Sequence, residues 1–423
     1  MRELARPLLE RRPVSPTPVD VLRRRVRRRR QRSRAVASVA AVALLAGALI
    51  VAALLGGERS VHTTTVPTTI SAVPPDTPAV GAMHLWSPSA GYAVNGLGLY
   101  VTDDGGAHWR NIAPADTYDP IGHMTAIDAR DPQHIWTSWA LNSHPITNYR
   151  TTDGGRTWLT DARCDNAVCP SFTAIDFVDD DHGWSVVGSD DGTGSGRLYV
   201  SSDGGAHWTT IGPVPFNGQV RYLDTRRGWG RTGPHALGAN GGYTNPGGEL
   251  FRTDDGGRTW TRAHPLRESR GAVTYGVPRF FGPAGVVAAW IHRPRGPRKV
   301  EILSTDDGGE SWRPRSAPAS PRARQYTGDP DFPVSPSTPG DVTYYPGGRL
   351  YSTSDAGKHW TQVTPSPAWA RVDTLDFVTP EFGWATVFAD VPHCGATAPA
   401  ACTYPVLVST SDGGRTWTVL SPG

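Results

Sequence analysis

Aspartate is the residue type in this chain whose number and spacing could do chemistry, because paired carboxylates carry out acid–base work in many hydrolases. Seven aspartates occupy the same phrase, Ser/Thr-x-Asp-x-Gly-x-x-Trp, at steps of 49, 50, 52, 52, 48 and 57 residues. They are Asp104, Asp153, Asp203, Asp255, Asp307, Asp355 and Asp412. Seven equivalent positions spaced around a repeat structure cannot converge on one substrate, so we interpret these aspartates as structural.

The residue types of the phrase predict a tight turn between two strands. An aspartate at a turn accepts hydrogen bonds from backbone N–H groups that follow it, and glycine supplies the positive φ that such a turn requires. The tryptophan then begins the next strand and has a large apolar surface to bury. We expect it to pack against a neighbouring repeat.

A second phrase opens the repeats and completes the fold prediction. It includes Asp176-Phe177 followed by Gly183-Trp184, and Asp376-Phe377 followed by Gly383-Trp384. Two hairpins per repeat and a period near 50 residues predict an all-β, seven-bladed propeller of four-stranded blades over residues 81–423. The inner strands of blades two, five and six fit the phrase less well. No borrowed strand that would lock the ring is evident.

The first 80 residues predict a membrane anchor. Residues 1–55 carry a net charge of +10, and since the whole chain carries +3, the remainder carries −7. After the arginine-rich tail, 1–34, residues 35–55 are uncharged and long enough to span a bilayer. The arginines place the N-terminus in the cytoplasm and the propeller outside, beyond a Thr/Pro-rich linker, 56–80. We therefore expect a single-pass protein of the cell membrane.

Two other interpretations of this region remain open. A cleaved signal peptide has a shorter apolar region, ~7–15 residues, and a shorter n-region than the segment here. The arginine run could contact nucleic acid, but its position beside an apolar helix favours membrane topology and anionic lipid, so we expect no nucleic-acid partner.

Four cysteines form two close pairs, and an even number outside the cytoplasm predicts disulfides. Of three connectivities we favour Cys164–Cys169 and Cys394–Cys402. The spacings are not those of a zinc knuckle, although His393 adjoins Cys394. We predict no metal and no cofactor.

Long loops should lie on the face away from the Asp-phrase turns, and loops on a rigid scaffold usually carry binding. Candidate binding residues on two of these loops are Arg231, His235 and Tyr243 in blade four, and Arg293, Arg295, Arg298 and Lys299 in blade five. The second group could attract an anionic partner to a domain of net charge −7. The alternative is that both loops are simply solvated.

The repeated phrase resembles the Asp-box, or BNR repeat, of sialidases and related propellers. That resemblance implies an arginine triad, a Tyr–Glu nucleophile pair and an acid/base aspartate. Glutamate is scarce, and the only pair that can be nominated is Glu268 with Tyr275, which nothing recommends. We assign no catalytic residue.

The paired opening phrase and Asp-box more closely resemble the photosystem II assembly and stability factor family, over about residues 82–420. This resemblance implies a scaffold that holds membrane-protein subunits, although the arginine-rich start and uncleaved anchor depart from a photosynthetic role. We therefore predict a scaffold that binds an envelope protein or a glycan, in an oligomeric state that the sequence leaves open. The alternative is a sialidase-like glycoside hydrolase acting on cell-surface or environmental glycans.

Overall fold

The computed structural model describes most of the chain after residue 76. The described residues are 77–96, 98–117, 123–140, 147–160, 163–164, 167–168, 172–189, 193–233, 235–237, 243–245, 247–266, 272–292, 299–319, 333–346, 349–365, 372–391 and 402–423. The predicted tail and anchor, and the linker through residue 76, lie outside them. No helix in these ranges is long and apolar enough to cross a membrane.

Seven antiparallel sheets follow one another along the described chain and form the blades of a β-propeller. Blade one contains β1 Val80–Leu85, β2 Gly91–Asn95, β3 Gly98–Thr102 and β4 Arg110–Asn111. A 3₁₀ helix at Ala115–Thr117 follows it. Blade two contains β5 His123–Ala129, β6 Ile135–Ala140 and β7 Thr147–Thr151. Blade three contains β8 Arg163–Cys164, β9 Ala167–Val168, β10 Ala174–Phe177, β11 Gly183–Gly188, β12 Gly196–Ser201 and β13 His207–Val214.

The remaining blades follow the same order. Blade four contains β14 Val220–Tyr222, β15 Gly228–Arg231, β16 His235–Leu237, β17 Tyr243–Asn245, β18 Leu250–Thr253 and β19 Thr261–Arg262. Blade five contains β20 Ala272–Tyr275, β21 Arg279–Phe281, β22 Ala284–His292, β23 Lys299–Thr305 and β24 Arg313–Ser316. Blades six and seven contain β25 Val334–Pro336, β26 Val342–Tyr344, β27 Leu350–Thr353 and β28 Thr361–Val363, then β29 Val372–Phe377, β30 Gly383–Val391, β31 Cys402–Thr410 and β32 Thr418–Leu420.

The predicted fold is confirmed as an all-β propeller of seven blades, with local departures from the four-strand plan. In blade two, the fourth strand is reduced within the described residues to one bridge between Arg150 and Leu159. In blade five, β20 and β21 both pair with β22, so the inner strand is broken in two. In blade three, β8 adds to the outer edge by pairing with β13 in parallel. Blade four carries the small β16–β17 hairpin as an insertion.

Aromatic residues of the opening phrase fill the seams between neighbouring blades. Trp136 stacks on Phe177 of the next blade with ring centroids 3.8 Å apart, and Trp184 stacks on Tyr222 at 3.7 Å. Each indole N–H donates to a glycine carbonyl in the next blade's Asp-box turn, at 2.8 and 3.1 Å. Buried aromatic pairs contribute about 0.5–1.5 kcal/mol beyond their area. The seams are therefore held by stacking and by directional hydrogen bonds.

The ring closes without an exchanged strand, because blades one and seven each contain only their own described strands. Leu85 and Ala93 of blade one pack with Trp384 and Leu407 of blade seven in one apolar cluster. The Asn95 side chain also donates to a carbonyl at the C-terminal end of the chain, 3.0 Å away. Closure thus rests on packing and side-chain hydrogen bonds.

Candidate functional site

Each Asp-box turn is held by one recurring set of hydrogen bonds. Around Asp255, carboxylate Oδ1 accepts from the Thr253 hydroxyl at 2.8 Å and from the Thr259 backbone N–H at 2.9 Å. The Thr253 hydroxyl accepts from the Gly257 N–H at 2.9 Å, and the Thr259 hydroxyl donates to Oδ2 at 2.7 Å. The first three bonds recur in the other six boxes. The box carboxylates are thus engaged by their own turns.

These hydrogen bonds favour the ionised carboxylate. At Asp153 the backbone N–H of Thr157, and then its hydroxyl, lower the pKa to about 2. In three boxes a histidine replaces the threonine or serine, and its Nδ1 lies 2.6 Å from the aspartate. A carboxylate held so strongly in its charged form is a poor proton donor at neutral pH.

The Asp-box turns share a face with the turns that join the first and second strands. In blade three, the backbone N–H of Gly204 donates to the Asp181 carbonyl at 2.9 Å. The equivalent bond forms in the other six blades. Both kinds of turn therefore lie on one face of the propeller, which we call the Asp-box face.

One residue of each inner strand stands at the same register position and belongs to what we call the inner ring. These residues lie opposite Tyr92, Trp136, Trp184, Trp229, Val286, Thr343 and Trp384 of the second strands. The inner ring is His84, Asp128, Asp176, Arg221, Arg279, Ser335 and Asp376. It lies close to the Asp-box face, because each member is followed within a few residues by the turn to the second strand.

Ring members hold the blades together by accepting backbone N–H groups from the next blade. The four bonds are Phe177 N to Asp128 at 2.7 Å, Tyr222 N to Asp176 at 2.5 Å, Phe377 N to Ser335 at 2.7 Å and Leu85 N to Asp376 at 2.7 Å. Each donor directly follows the ring member of its own blade. The last of these bonds joins blade seven to blade one and so contributes to closure.

The charged ring members also pair with one another. Arg221 contacts Asp176 at 2.6 Å, and Arg279 contacts Asp376 at 3.0 Å across blade six. The imidazole of His84 lies 2.6 Å from Asp376. Asp128 makes no ion pair within the described residues, although the charge of Arg221 acts on it.

The three carboxyl groups of the inner ring differ in the direction of their pKa shifts. Burial raises the pKa of Asp176 to about 7, against the opposing charge of Arg221, and the neighbouring charge of Asp128 raises it further. Burial also raises the pKa of Asp128. At Asp376, the hydrogen bond and charge of His84 and the charge of Arg279 outweigh burial and lower the pKa. We call Asp128 and Asp176 the dyad, because burial raises the pKa of both and the charge of Asp128 raises that of Asp176 further.

Among the predicted binding residues, the structure describes the side chains of Arg231 and Lys299. Arg231 is 4% exposed, and its Nε donates to the Tyr275 carbonyl of blade five at 2.6 Å. Lys299 forms an ion pair with Glu301 of the same strand. His235 and Tyr243 lie on β16 and β17, but their side chains are outside the described structure, as are Arg293, Arg295 and Arg298.

The two predicted disulfides also fall outside the described side chains, so their pairing stays a prediction. Among the described residues, no group of three or more His, Cys, Asp or Glu side chains is arranged to hold a metal ion.

The sequence reasoning missed the inner ring as a set. Asp176 and Asp376 lie in the opening phrase. The equivalent positions of other blades hold His84, Arg221 and Ser335, so the inner-ring positions share no residue type. The detectable signal was positional: five of the seven lie directly before a large apolar residue, with a glycine or apolar residue opening the next strand soon after.

Comparison with known proteins leaves the family open, because no family model matches the chain. A xyloglucanase from Paenibacillus sp is 28% identical over 201 residues, which cover 40% of this chain. The match covers 19% of that relative's own length.

Among solved structures, YCF48 bound to a D1 peptide aligns with a TM-score of 0.49 and 16% identity, covering 73% of this chain and 90% of that one. The GH74 xyloglucanase from Xanthomonas campestris aligns with a TM-score of 0.46 and 14% identity, covering 82% and 68%. A polysaccharide lyase of family PL25, an ulvan lyase, aligns with a TM-score of 0.44 and 10% identity, covering 81% and 96%. These are propeller neighbours at low identity.

Proposed function

We propose that the chain is a membrane-anchored, extracytoplasmic propeller that binds an envelope protein or a glycan and acts as a scaffold. The observation that carries this proposal is that charged residues of the inner ring are engaged in hydrogen bonds and ion pairs within the protein. Asp176 and Asp376 each accept a backbone N–H from the next blade and pair with an arginine. Groups engaged in this way stabilise a rigid platform, and rigid platforms suit binding by their loops.

The test is an in-cell crosslinking pull-down with the full-length chain and two variants. In the first, Arg293, Arg295, Arg298 and Lys299 are changed to serine. In the matched control, four basic residues at one equivalent position of the exposed Asp-box turns are changed to serine: Arg156, Arg258, Lys358 and Arg415. Both variants lose the same formal charge, and only the first changes the predicted blade-five loop.

We expect a specific membrane or envelope partner with the wild-type and control baits and its loss with the blade-five variant. Loss only with the control would support binding and contradict the blade-five loop as the contact. Recovery of nothing specific by any bait, together with turnover of a glycan, would overturn the scaffold proposal.

A glycoside hydrolase is the second candidate, and the Asp128–Asp176 dyad is the observation that favours it. A carboxyl group protonated near neutrality beside a second carboxylate could protonate a leaving group. The xyloglucanase relative points to the same class of chemistry, over part of the chain. The test is release of reducing sugar from xyloglucan and sialoglycans by wild type, Asp128→Asn and Asp176→Asn. Turnover by wild type that is abolished in both variants while their circular dichroism stays that of wild type would establish the enzyme, and no turnover by wild type would remove it.

A further inference from the structure

A cleft of about 520 Å³ opens on the Asp-box face where blade seven meets blade one. Blade one contributes the turn Ser87–Ser89 and Asp104. Blade seven contributes Phe382 and the two ends of its Asp-box turn, including Ser409 and Thr418. The volume falls within the ~300–1,000 Å³ typical of small-ligand sites.

The sequence explains why this seam is less filled than the two seams that an arginine crosses. In blades two and four the third-strand residue opposite the seam tryptophan is an arginine, Arg150 or Arg252. Each guanidinium donates to a glycine carbonyl in the next blade's Asp-box turn, at 3.2 and 3.3 Å. In blade seven the equivalent residue, opposite Trp384, is Ser409. Serine is too short to cross the seam, so the space stays open.

The indole hydrogen bonds that join two other seams are also missing here. Trp136 and Trp184 donate their indole N–H groups to the next blade's Asp-box turn. The equivalent indole N–H of Trp384 is buried and has no hydrogen-bond partner among the described residues. The indole N–H of Trp109, whose ring lies 5.5 Å from that of Trp384, is in the same state. Unpaired buried donors cost ~1–3 kcal/mol each, so this seam is less tightly tied than the two seams after blades two and three; the indole N–H of Trp229, after blade four, also has no partner among the described residues.

The cleft lining combines hydroxyl groups with one aromatic ring and no uncompensated charge. The side-chain hydroxyls of Ser409, Ser411 and Thr418 make no hydrogen bond within the described structure, and a hydroxyl can both donate and accept. The Asp104 carboxylate is engaged by its own turn. Phe382 is half-buried and offers an apolar surface.

We propose that this cleft binds a short stretch of a neutral glycan. Sugar hydroxyls would exchange hydrogen bonds with Ser409, Ser411 and Thr418, and an apolar sugar face would lie against Phe382. The inference rests on the proposed binding function and narrows the partner to the glycan class. A peptide is the less favoured occupant, because the lining offers neither a deep apolar pocket nor a free charge to anchor a side chain.

The test measures binding of three probes to the full-length chain by saturation-transfer NMR and calorimetry. The probes are cellotetraose and N-acetylchitotetraose, which are neutral, and tetragalacturonate, which is anionic. Ser409→Arg places in the cleft the residue that crosses equivalent seams. Ser352→Arg is the matched control, because Ser352 stands at the same register position in blade six, opposite Thr343. Phe382→Leu keeps apolar volume but removes the ring, and serves if Ser409→Arg does not fold.

We expect at least one neutral probe to bind, with affinity at least tenfold lower in Ser409→Arg, at least threefold lower in Phe382→Leu and unchanged in Ser352→Arg. Binding that Ser409→Arg and Phe382→Leu leave intact, or binding of the anionic probe alone, would refute the cleft assignment. If no probe binds while the pull-down recovers a protein partner, the glycan inference fails and the scaffold function stands. If both experiments recover nothing, both proposals fail.

Discussion

The pKa of the aspartate carboxyl group is shifted in opposite directions at different places in this protein. The direction depends on what surrounds each carboxylate. In the Asp-box turns, backbone N–H and hydroxyl donors converge on an exposed carboxylate and lower the pKa of Asp153 to about 2. At Asp176, burial and a neighbouring carboxylate raise the pKa to about 7 even though Arg221 is in contact. The Asp-box aspartates therefore stay ionised at neutral pH, whereas Asp176 retains a proton up to a pH near its raised pKa.

The raised pKa of Asp176 predicts that stability falls as the pH rises towards neutrality. Between its unfolded pKa, ~4, and its folded value of about 7, the folded state holds a proton that the unfolded state has lost. The loss is at most ~1.4 kcal/mol per pH unit per proton and ends above the folded pKa. Asp176→Asn should therefore flatten this part of the profile.

The measurement is urea unfolding of both proteins at pH 5, 6, 7 and 8. Asp254→Asn, whose side chain is 62% exposed and pairs with Arg252, serves as the control and should keep the wild-type slope. Equal slopes in wild type and Asp176→Asn would contradict the assignment of the stored proton to this dyad.

The sixth Asp-box offers a prediction about backbone strain. Ala356 adopts φ of 57°, in the position where six other boxes have glycine with positive φ. A residue with a Cβ pays ~1–2 kcal/mol in this region, and the added freedom of unfolded glycine offsets part of that. Ala356→Gly should therefore stabilise the fold by roughly 0.5–1 kcal/mol. Thermal unfolding should show a higher midpoint, whereas Ala107→Gly, at an exposed position of the first box without positive φ, should not raise it.

At the scale of the element, the second strand of a blade is the unit that joins neighbours. In blades two and three its tryptophan, opposite the inner-ring residue, packs against the next blade and donates to that blade's Asp-box turn. The inner strand opposite it is short, three residues in β14 and β25. A strand of that length has few ladder bonds, so side chains must supply much of its attachment.

The tryptophan stack in the blade three–four seam can be tested by truncation. Trp184 is 2% exposed and stacks on Tyr222, so Trp184→Ala should cost about 3–5 kcal/mol through lost burial and a cavity. Leu159, 52% exposed, provides the control, and Leu159→Ala should change stability by no more than ~0.5 kcal/mol. The comparison is made by guanidinium unfolding. Similar losses in both variants would mean that the seam does not depend on this ring.

Some elements of the structure could be predicted from the sequence and others could not. The Asp-box turns and the blade count were predictable because each turn is specified by residues within a span of eight. The inner ring was not, because its members differ in type and are brought together only when seven strands share one register. The sequence predicts Arg231 on the blade-four loop, whereas it is the last residue of β15 and its side chain is buried between blades four and five. Burial of a single arginine depends on the neighbouring blade, which the local sequence does not contain.

For the whole molecule, the decisive step is closing the ring between residues that are far apart in sequence. Asp376 and Leu85 are separated by 291 positions, and the bond between them is 2.7 Å long. Asp376 also binds His84 of blade one and Arg279 of blade five, so one carboxylate links three blades. The blade seven–one seam thus depends strongly on this carboxylate, and the cleft opens at the same seam on the Asp-box face.

This arrangement predicts that Asp376→Ala loosens the ring at its closing seam first. Breaking a buried, paired charge network costs about 3–5 kcal/mol, because the partners lose their counter-charge and Leu85 loses its acceptor. The matched control is Ser335→Ala, which removes an equivalent backbone acceptor for Phe377 without removing charge and should cost ~1 kcal/mol. Hydrogen–deuterium exchange should rise in β1 and β29 of Asp376→Ala while β10 and β14, far from the seam, stay protected. Uniform loss of protection in all blades would instead mean that the ring opens as one cooperative unit, with no weak seam.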